Sequence, residues 1–241
     1  MNAPELPPDE HTGAVDTSEV PGVRRNFHHQ LEVVRDDLVR AAGLVSEAMA
    51  RATQAFLDGD LTAAEEIIRG DAEIDVLTLA VEERCYQLLA LQQPMASDLR
   101  ALTTAVRLSG EIERAGDLVS NIMKAARRIY GVTIDPRTRG LLERLGAQSH
   151  QQFRLAIDAY VDHDLGLASA LDDMDDVIDR MHVEFIESIF AVREAGELGL
   201  QPAVQLALVG RFYERIGDHA VNIGERVRYL LTGSLPEHHV K

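Results

Sequence analysis

Tryptophan is absent from this chain of 241 residues, and aromatic residues of every kind make up only 5%. Strands draw on aromatic and β-branched side chains; here Ala, Leu, Glu and Arg dominate, all good helix formers. The single cysteine, Cys85, excludes a disulfide framework and suits a reducing compartment. It stands in AVEERCYQLLALQ, a helical pattern with no His/Asn constellation to activate it, and reads as a small buried residue rather than a nucleophile. No apolar run approaches the roughly 18 residues that span a bilayer. Residues 1–22 are Pro- and acid-rich, without the basic start or apolar run of a signal or transit peptide. The expectation is a soluble, cytoplasmic chain with a disordered head, reaching a membrane only peripherally, through partners.

Positive charge is also scarce: 24 Lys and Arg stand against 40 Asp and Glu, for a formal net charge of -16. Nucleic-acid phosphates and anionic lipid surfaces repel such a chain, so neither is expected as a direct partner. Divalent cations, or a protein with a basic face, suit it. A Gly-rich phosphate loop and a Gly-x-Ser-x-Gly elbow are both missing, which leaves nucleotide and acyl chemistry without support.

What is present is helical periodicity and enough apolar residue, 46%, for a sizeable core. Val209, Phe212, Ile216, Ala220, Ile223, Val227 and Leu230 follow steps of three or four. Punctuation divides the chain into six long segments. The first covers about 24–57 and stops at DGD; the second starts near 60 and stops at QQP, where Pro94 cannot continue a helix. The third begins near 97 and fades at YGVTIDP, and the fourth runs from about 136 to VDHD. The fifth ends at EAGELGLQP, and the sixth opens at Pro202 and ends at LLTGSLP. Helices of about 30 residues are about 45 Å long, and with short connections they form antiparallel bundles.

The halves repeat. Residues 55–75 align without gaps onto 159–179 with eight of 21 positions identical, and Glu-Arg-x-Gly-Asp-x-x-x-Asn-Ile occurs at 113–122 and again at 214–223. The expected fold is therefore all-α: two tandem antiparallel three-helix bundles related by duplication. The expected divisions are a tail at 1–22, bundles at 23–133 and 134–233, and a short tail at 234–241.

Each half carries two acid pairs at i, i+4: Asp71 with Asp75 and Glu113 with Asp117, then Asp175 with Asp179 and Glu214 with Asp218. Residues four apart share a helix face, where like charges repel. Two such helices side by side would offer four carboxylates to hard cations, with Gly116 and Gly217 allowing close approach and Asn121 and Asn222 adding neutral oxygens. An all-oxygen set points to iron, manganese, magnesium or calcium ahead of structural zinc. By helical phase the pairs look outward or along a seam, and Glu214 with Asp218 lie nearly opposite their own apolar stripe. The competing reading is a solvated acidic face, with Arg114 and Arg215 pairing some of the acids. A di-iron core of ferritin type would need inward acids and Glu-x-x-His, which is absent from the chain.

The doubled string, each copy preceded by a helix bearing Asp-x-x-x-Asp, together with PMASDLRALTTAV, resembles the PhoU family of phosphate-signalling regulators over about residues 24–233. The resemblance implies two three-helix bundles, dimers and no catalysis. It implies iron or zinc clusters on the surface, held here by Asp71, Asp75, Glu113, Asp117, Asp175, Asp179, Glu214 and Asp218. It implies an adaptor between the ATPase subunit of the high-affinity phosphate ABC transporter and a membrane sensor histidine kinase, damping uptake and the starvation response when phosphate is plentiful. Leu118 and Ser120 in the first copy stand where the second has His219 and Val221, so the two sites are not expected to be equal. The alternatives are a carboxylate-rich metal store or metalloenzyme, and a helical scaffold without metal.

Overall fold

The computed structural model describes residues 20–92 and 94–234. All elements among them are helices: α1 (Val20–Asp58), α2 (Leu61–Gln92), α3 (Ser97–Arg128), α4 (Pro136–Asp162), α5 (Leu165–Glu194) and α6 (Leu200–Thr232). The six expected segments are all present. Helix α1 starts earlier than expected, three residues inside the tail assigned to 1–22, with Pro21 in the first turn, where its missing N–H leaves no bond unmade. Residues 1–19 and 235–241, which hold the rest of both expected tails, lie outside the described residues. Helix α6 likewise starts two residues before Pro202, which sits in its first turn.

Several identities in the repeat are helix ends. Asp60 accepts from the amides of Thr62 and Ala63, both at 3.0 Å, and its counterpart Asp164 accepts from Leu167 at 2.9 Å. Both cap the second helix of a half, satisfying amides that no helix carbonyl reaches. The residue before each, Gly59 and His163, takes the left-handed conformation that ends the first helix, with φ 67° and 54°.

Helices α2, α3, α6 and α5 lie side by side in that order, and α1 and α4 cross one face of this layer, α1 on α2 and α3, α4 on α5 and α6. Neighbours in the layer are antiparallel. Along α3 and α6, Arg100 Nε donates to the Leu230 carbonyl (3.4 Å) and Arg128 Nη1 to Gln205 Oε1 (3.3 Å). The halves are related by a pseudo-twofold axis normal to the layer. Ser46 and His150, which occupy equivalent places in the repeat, meet each other at 2.8 Å between α1 and α4.

One continuous core runs through both halves. Leu38, Met49, Leu108 and Ile122 are buried in the first, and Leu142, Phe153, Phe185 and Tyr213 in the second. Cys85 is buried with them, and burial pushes its thiol up to about 12, which fits the inert reading. The halves also join through side chains: Tyr213 Oη meets Thr53 Oγ1 at 2.8 Å, and Arg35 Nη2 donates to the Val161 carbonyl at 2.7 Å.

Candidate functional site

The two acid pairs of each half face each other across a helix seam; Asp71 borders α1 and Asp175 meets Gln152 of α4, whereas Asp75 and Glu113 open onto a cleft beside Gly110. In the first half, α2 packs tightly on α3 at Gly116, between the two α3 acids. A Cβ there would stand 3.3 Å from Asp71 Oδ1 and 3.3 Å from Ile74 Cδ1. Gly217 plays the same part between α5 and α6, where a Cβ would stand 2.8 Å from Asp175 Oδ1 and 3.1 Å from Ile178 Cδ1. The glycine between the acids is thus what lets carboxylates on neighbouring helices share one seam.

In the first site the acids repel one another more than the nearby Lys124 and Arg114 offset. Burial raises the Asp71 carboxyl above its ordinary value, and the neighbouring Asp117 and Asp75 raise it further. Glu113 is raised the same way, by burial and then by Asp117 and Asp75. Among the described residues no Lys, Arg or His forms an ion pair with these four acids; Arg114 turns instead to Glu111, at 3.9 Å. Beside them a cleft of about 280 Å³ opens over Gly110, lined by Asp75, Glu82, Ser109 and Glu113 among others.

The second site differs because Arg211 stands where the repeat puts Gly110. Its guanidinium pairs with Glu214 and reaches to 4.0 Å from Asp218. Burial raises the Asp218 carboxyl, Arg211 opposes the rise, and Asp179 adds to it. Gln152 Nε2 donates to Asp175 Oδ1 at 3.4 Å.

One expectation needs correcting. Glu214 does not look outward: it is 9% exposed, and its Oε2 is enclosed without a hydrogen-bond partner. The apolar stripe read from α6 covers only one of its buried rows. As an inner helix of the layer it is packed by α3, α4 and α5, and a second row of Leu206, Gly210, Tyr213, Gly217 and Gly224 is buried beside the first. Asn222 is engaged through its nitrogen outside the acid pair. Its amide donates to Glu111 Oε2 at 3.0 Å, across the seam between the halves. Asn121, its counterpart, accepts from Lys124 at 3.4 Å.

The residues missed in the sequence are Glu111 and His219. His219 Nδ1 lies 2.7 Å from Glu111 Oε2, with both residues buried between α3 and α6. The signal was the break in the repeat where Leu118 is replaced by His219. Its partner is not in the equivalent stretch but on the facing helix, which the repeat alone does not reveal.

The donor chemistry fits a hard cation: oxygen ligands only, on facing helices, with repulsion that a cation would relieve. As the side chains stand, no three His, Cys, Asp or Glu among the described residues converge closely enough to hold one. Binding would therefore draw the carboxylates together rather than fill a finished cage. No described helix is long and apolar enough to cross a membrane.

The profile of the PhoU domain matches residues 38–126 and again 142–227, one copy on each half. The chain belongs to the PhoU family. Among similar proteins is the phosphate-specific transport system accessory protein PhoU homolog 1 of Mycobacterium leprae (strain TN). It is 36% identical over 216 residues, covering 89% of this chain and 96% of that protein. PhoU homolog 2 of Mycobacterium tuberculosis (strain ATCC 25618 / H37Rv) is 35% identical over 215 residues, covering 89% and 100%. The crystal structure of PhoU from Pseudomonas aeruginosa superposes with a TM-score of 0.82 at 29% identity, covering 86% of this chain and 100% of that one. The phosphate transport system regulatory protein PhoU from Streptococcus pneumoniae gives 0.80 at 26%, covering 88% and 99%. A PhoU-type fold thus accounts for the six-helix, all-α architecture.

Proposed function

We propose that this chain is a non-catalytic regulator of phosphate-specific transport. In this reading it is a metal-binding adaptor that restrains high-affinity phosphate uptake and the phosphate-starvation response. Membership of the PhoU family, and the accessory role named for its relatives, support the transport role. The observation that supports the metal is the first acid cluster: four carboxylates on facing helices with no cation side chain paired to them. Asp71, Asp75, Glu113 and Asp117 would hold iron or zinc there, and Asp175, Asp179, Glu214 and Asp218 a second ion or cluster. The metal's contribution is charge neutralisation that ties α2 to α3 and α5 to α6.

The partners in this reading are the ATPase subunit of the phosphate ABC transporter and the sensor histidine kinase, met at the cytoplasmic face of the membrane by a homodimer of this chain. The test is phosphate uptake in a host lacking its own copy, with and without this chain, at high and low phosphate. Metal analysis of protein purified without a chelator or affinity tag runs alongside. Restored repression at high phosphate with metal bound is the expected result. Unrestrained uptake despite normal expression would remove the regulatory reading, and metal-free active protein would remove the metal from it.

A further inference from the structure

The layer α2–α3–α6–α5 leaves large apolar side chains exposed on its outer face, and the repeat copies them. Leu79 corresponds to Val183, Tyr86 to Phe190 and Leu99 to Leu200, and all six are exposed, Tyr86 at 54% and Phe190 at 62%. Isolated exposed apolar residues are ordinary. The same three positions kept large and apolar in both halves are not, because duplication followed by drift leaves exposed positions free to become polar.

Their arrangement is fixed by the register. Gly210 packs on Phe185 and Gly217 on Ile178, so α5 and α6 run antiparallel with Phe190 near the start of α6. One patch therefore sits at the tip of the α5–α6 hairpin and the other at the tip of α2–α3. The pseudo-twofold axis puts them at diagonally opposite corners of one face. Following the helices from one to the other spans about 24 residues at 1.5 Å each, and crossing the layer spans three helix spacings of about 9 Å. Tyr86 and Phe190 are thus roughly 45 Å apart. Between them, in the two seams that flank the axis, lie the paired acids except the buried Glu214, with the exposed Arg107, Arg114, Arg211 and Arg215 beside them. The face is apolar at two symmetric corners and carries an acid cluster on either side of its axis.

We propose that this face docks a homodimeric protein whose own twofold axis stands between the acid clusters. That partner would present basic side chains on either side of its axis and one apolar projection per subunit. This inference rests on the adaptor reading above and adds the surface and the symmetry of the partner. Two other occupants fit poorly. A second copy of this chain would set acids on acids, each chain bringing a net charge of -16. Residues 1–19 carry five acids and no Lys or Arg, and one such segment cannot fill two corners.

The test uses the full chain and its Ser variants: Leu79→Ser with Tyr86→Ser, Val183→Ser with Phe190→Ser, and all four together. Each is titrated with the phosphate-transporter ATPase subunit and with the sensor kinase's cytoplasmic part, both purified as dimers. Circular dichroism checks the helices, and sedimentation gives stoichiometry. The expected complex holds one chain per partner dimer. Because two tethered contacts reinforce each other, losing either corner weakens binding roughly a hundredfold, and losing both abolishes it. Higher salt weakens it as well. One chain per partner subunit, or no loss in either single-corner variant, overturns the inference while leaving the adaptor reading intact. Dissociation of the chain's own dimer in the variants assigns the corners to a second copy and overturns it equally. Absence of wild-type binding to both proteins overturns the inference together with the partners it rests on.

Discussion

Glu111 on α3 and His219 on α6 share a hydrogen bond of 2.7 Å in the seam that joins the two halves, with 9% and 7% of their surfaces exposed. Asn222 donates to the same carboxylate oxygen at 3.0 Å. Desolvation alone would raise the Glu111 carboxyl, but the bonds from His219 and Asn222 and the charges of His219 and Arg114 outweigh it, and the net shift is downward. The seam therefore depends on an ionised glutamate that is held, rather than solvated.

Removing one partner of such a pair strands the other. His219→Leu, which installs the residue present at Leu118, should destabilise the chain by about 3 kcal/mol, read from urea unfolding. Since the folded-state carboxyl of Glu111 lies below its ordinary 4.5, its contribution is complete above that value and is lost as pH falls through the folded one. Wild-type protein should thus lose stability more steeply than Glu111→Gln on acidification below pH 4.5. Parallel curves for the two would show that the pair contributes nothing.

The first acid cluster has the opposite sign. Asp71 and Glu113 are raised from 3.8 and 4.5, so their favourable contribution is present below those values and is lost as pH rises through the folded ones. At neutral pH the cluster strains the α2–α3 seam. Asp71→Asn with Glu113→Gln should raise Tm at pH 7 without divalent cations and leave it unchanged near pH 3. Manganese at pH 7 should raise the wild-type Tm by more than the variant's, which retains only the second site. An equal manganese response in both proteins would place the cation elsewhere.

Most of the fold was legible because its signals are periodic or repeated. The breaks at DGD, QQP and EAGELGLQP coincide with helix ends, and the repeated Asp60 and Asp164 proved to be caps. The i, i+4 spacing placed each acid pair on one face, and the Gly between the α3 and α6 acids foretold a close helix contact. Depth was not legible. A wheel drawn from one apolar stripe puts Glu214 outside, because it does not know that α6 is packed on three sides. Nor can a repeat show contacts between its copies, and that is where Glu111, His219 and Asn222 meet.

The two clusters should differ in their affinity for cations. Arg211 already pairs with Glu214, whereas Gly110, at the equivalent place, brings no guanidinium to the first cluster. A fixed positive charge within about 5 Å of an entering cation opposes it by a few kcal/mol at an effective dielectric near 20, before solvent screening reduces this. Arg211→Gly should therefore tighten manganese binding at the second site about tenfold and bring two-site isotherms closer to equivalence. It should also lower stability without metal, since Glu214 is buried. Calorimetric titration distinguishes the sites when the first is silenced by Asp71→Asn and Glu113→Gln. Unchanged affinity in Arg211→Gly would mean that the guanidinium simply swings aside.

Close packing of α5 on α6 should make Gly224 intolerant of a single methyl group. A Cβ there would stand 2.6 Å from Leu171 Cδ1 and 2.8 Å from the Ala168 carbonyl oxygen. The leucine can rotate, but the carbonyl is tied into α5 and can retreat only if the helices separate. Alanine gains up to about 1 kcal/mol of helix propensity over glycine, while overpacking of this kind costs about 1–3 kcal/mol. Gly224→Ala should accordingly lower Tm by a few degrees. Gly70→Ala, where nothing lies within 4 Å of the added carbon, should raise it through propensity alone. Thermal melts of the two variants separate packing from propensity, and a rise in both would mean that α5 and α6 are not in the contact described.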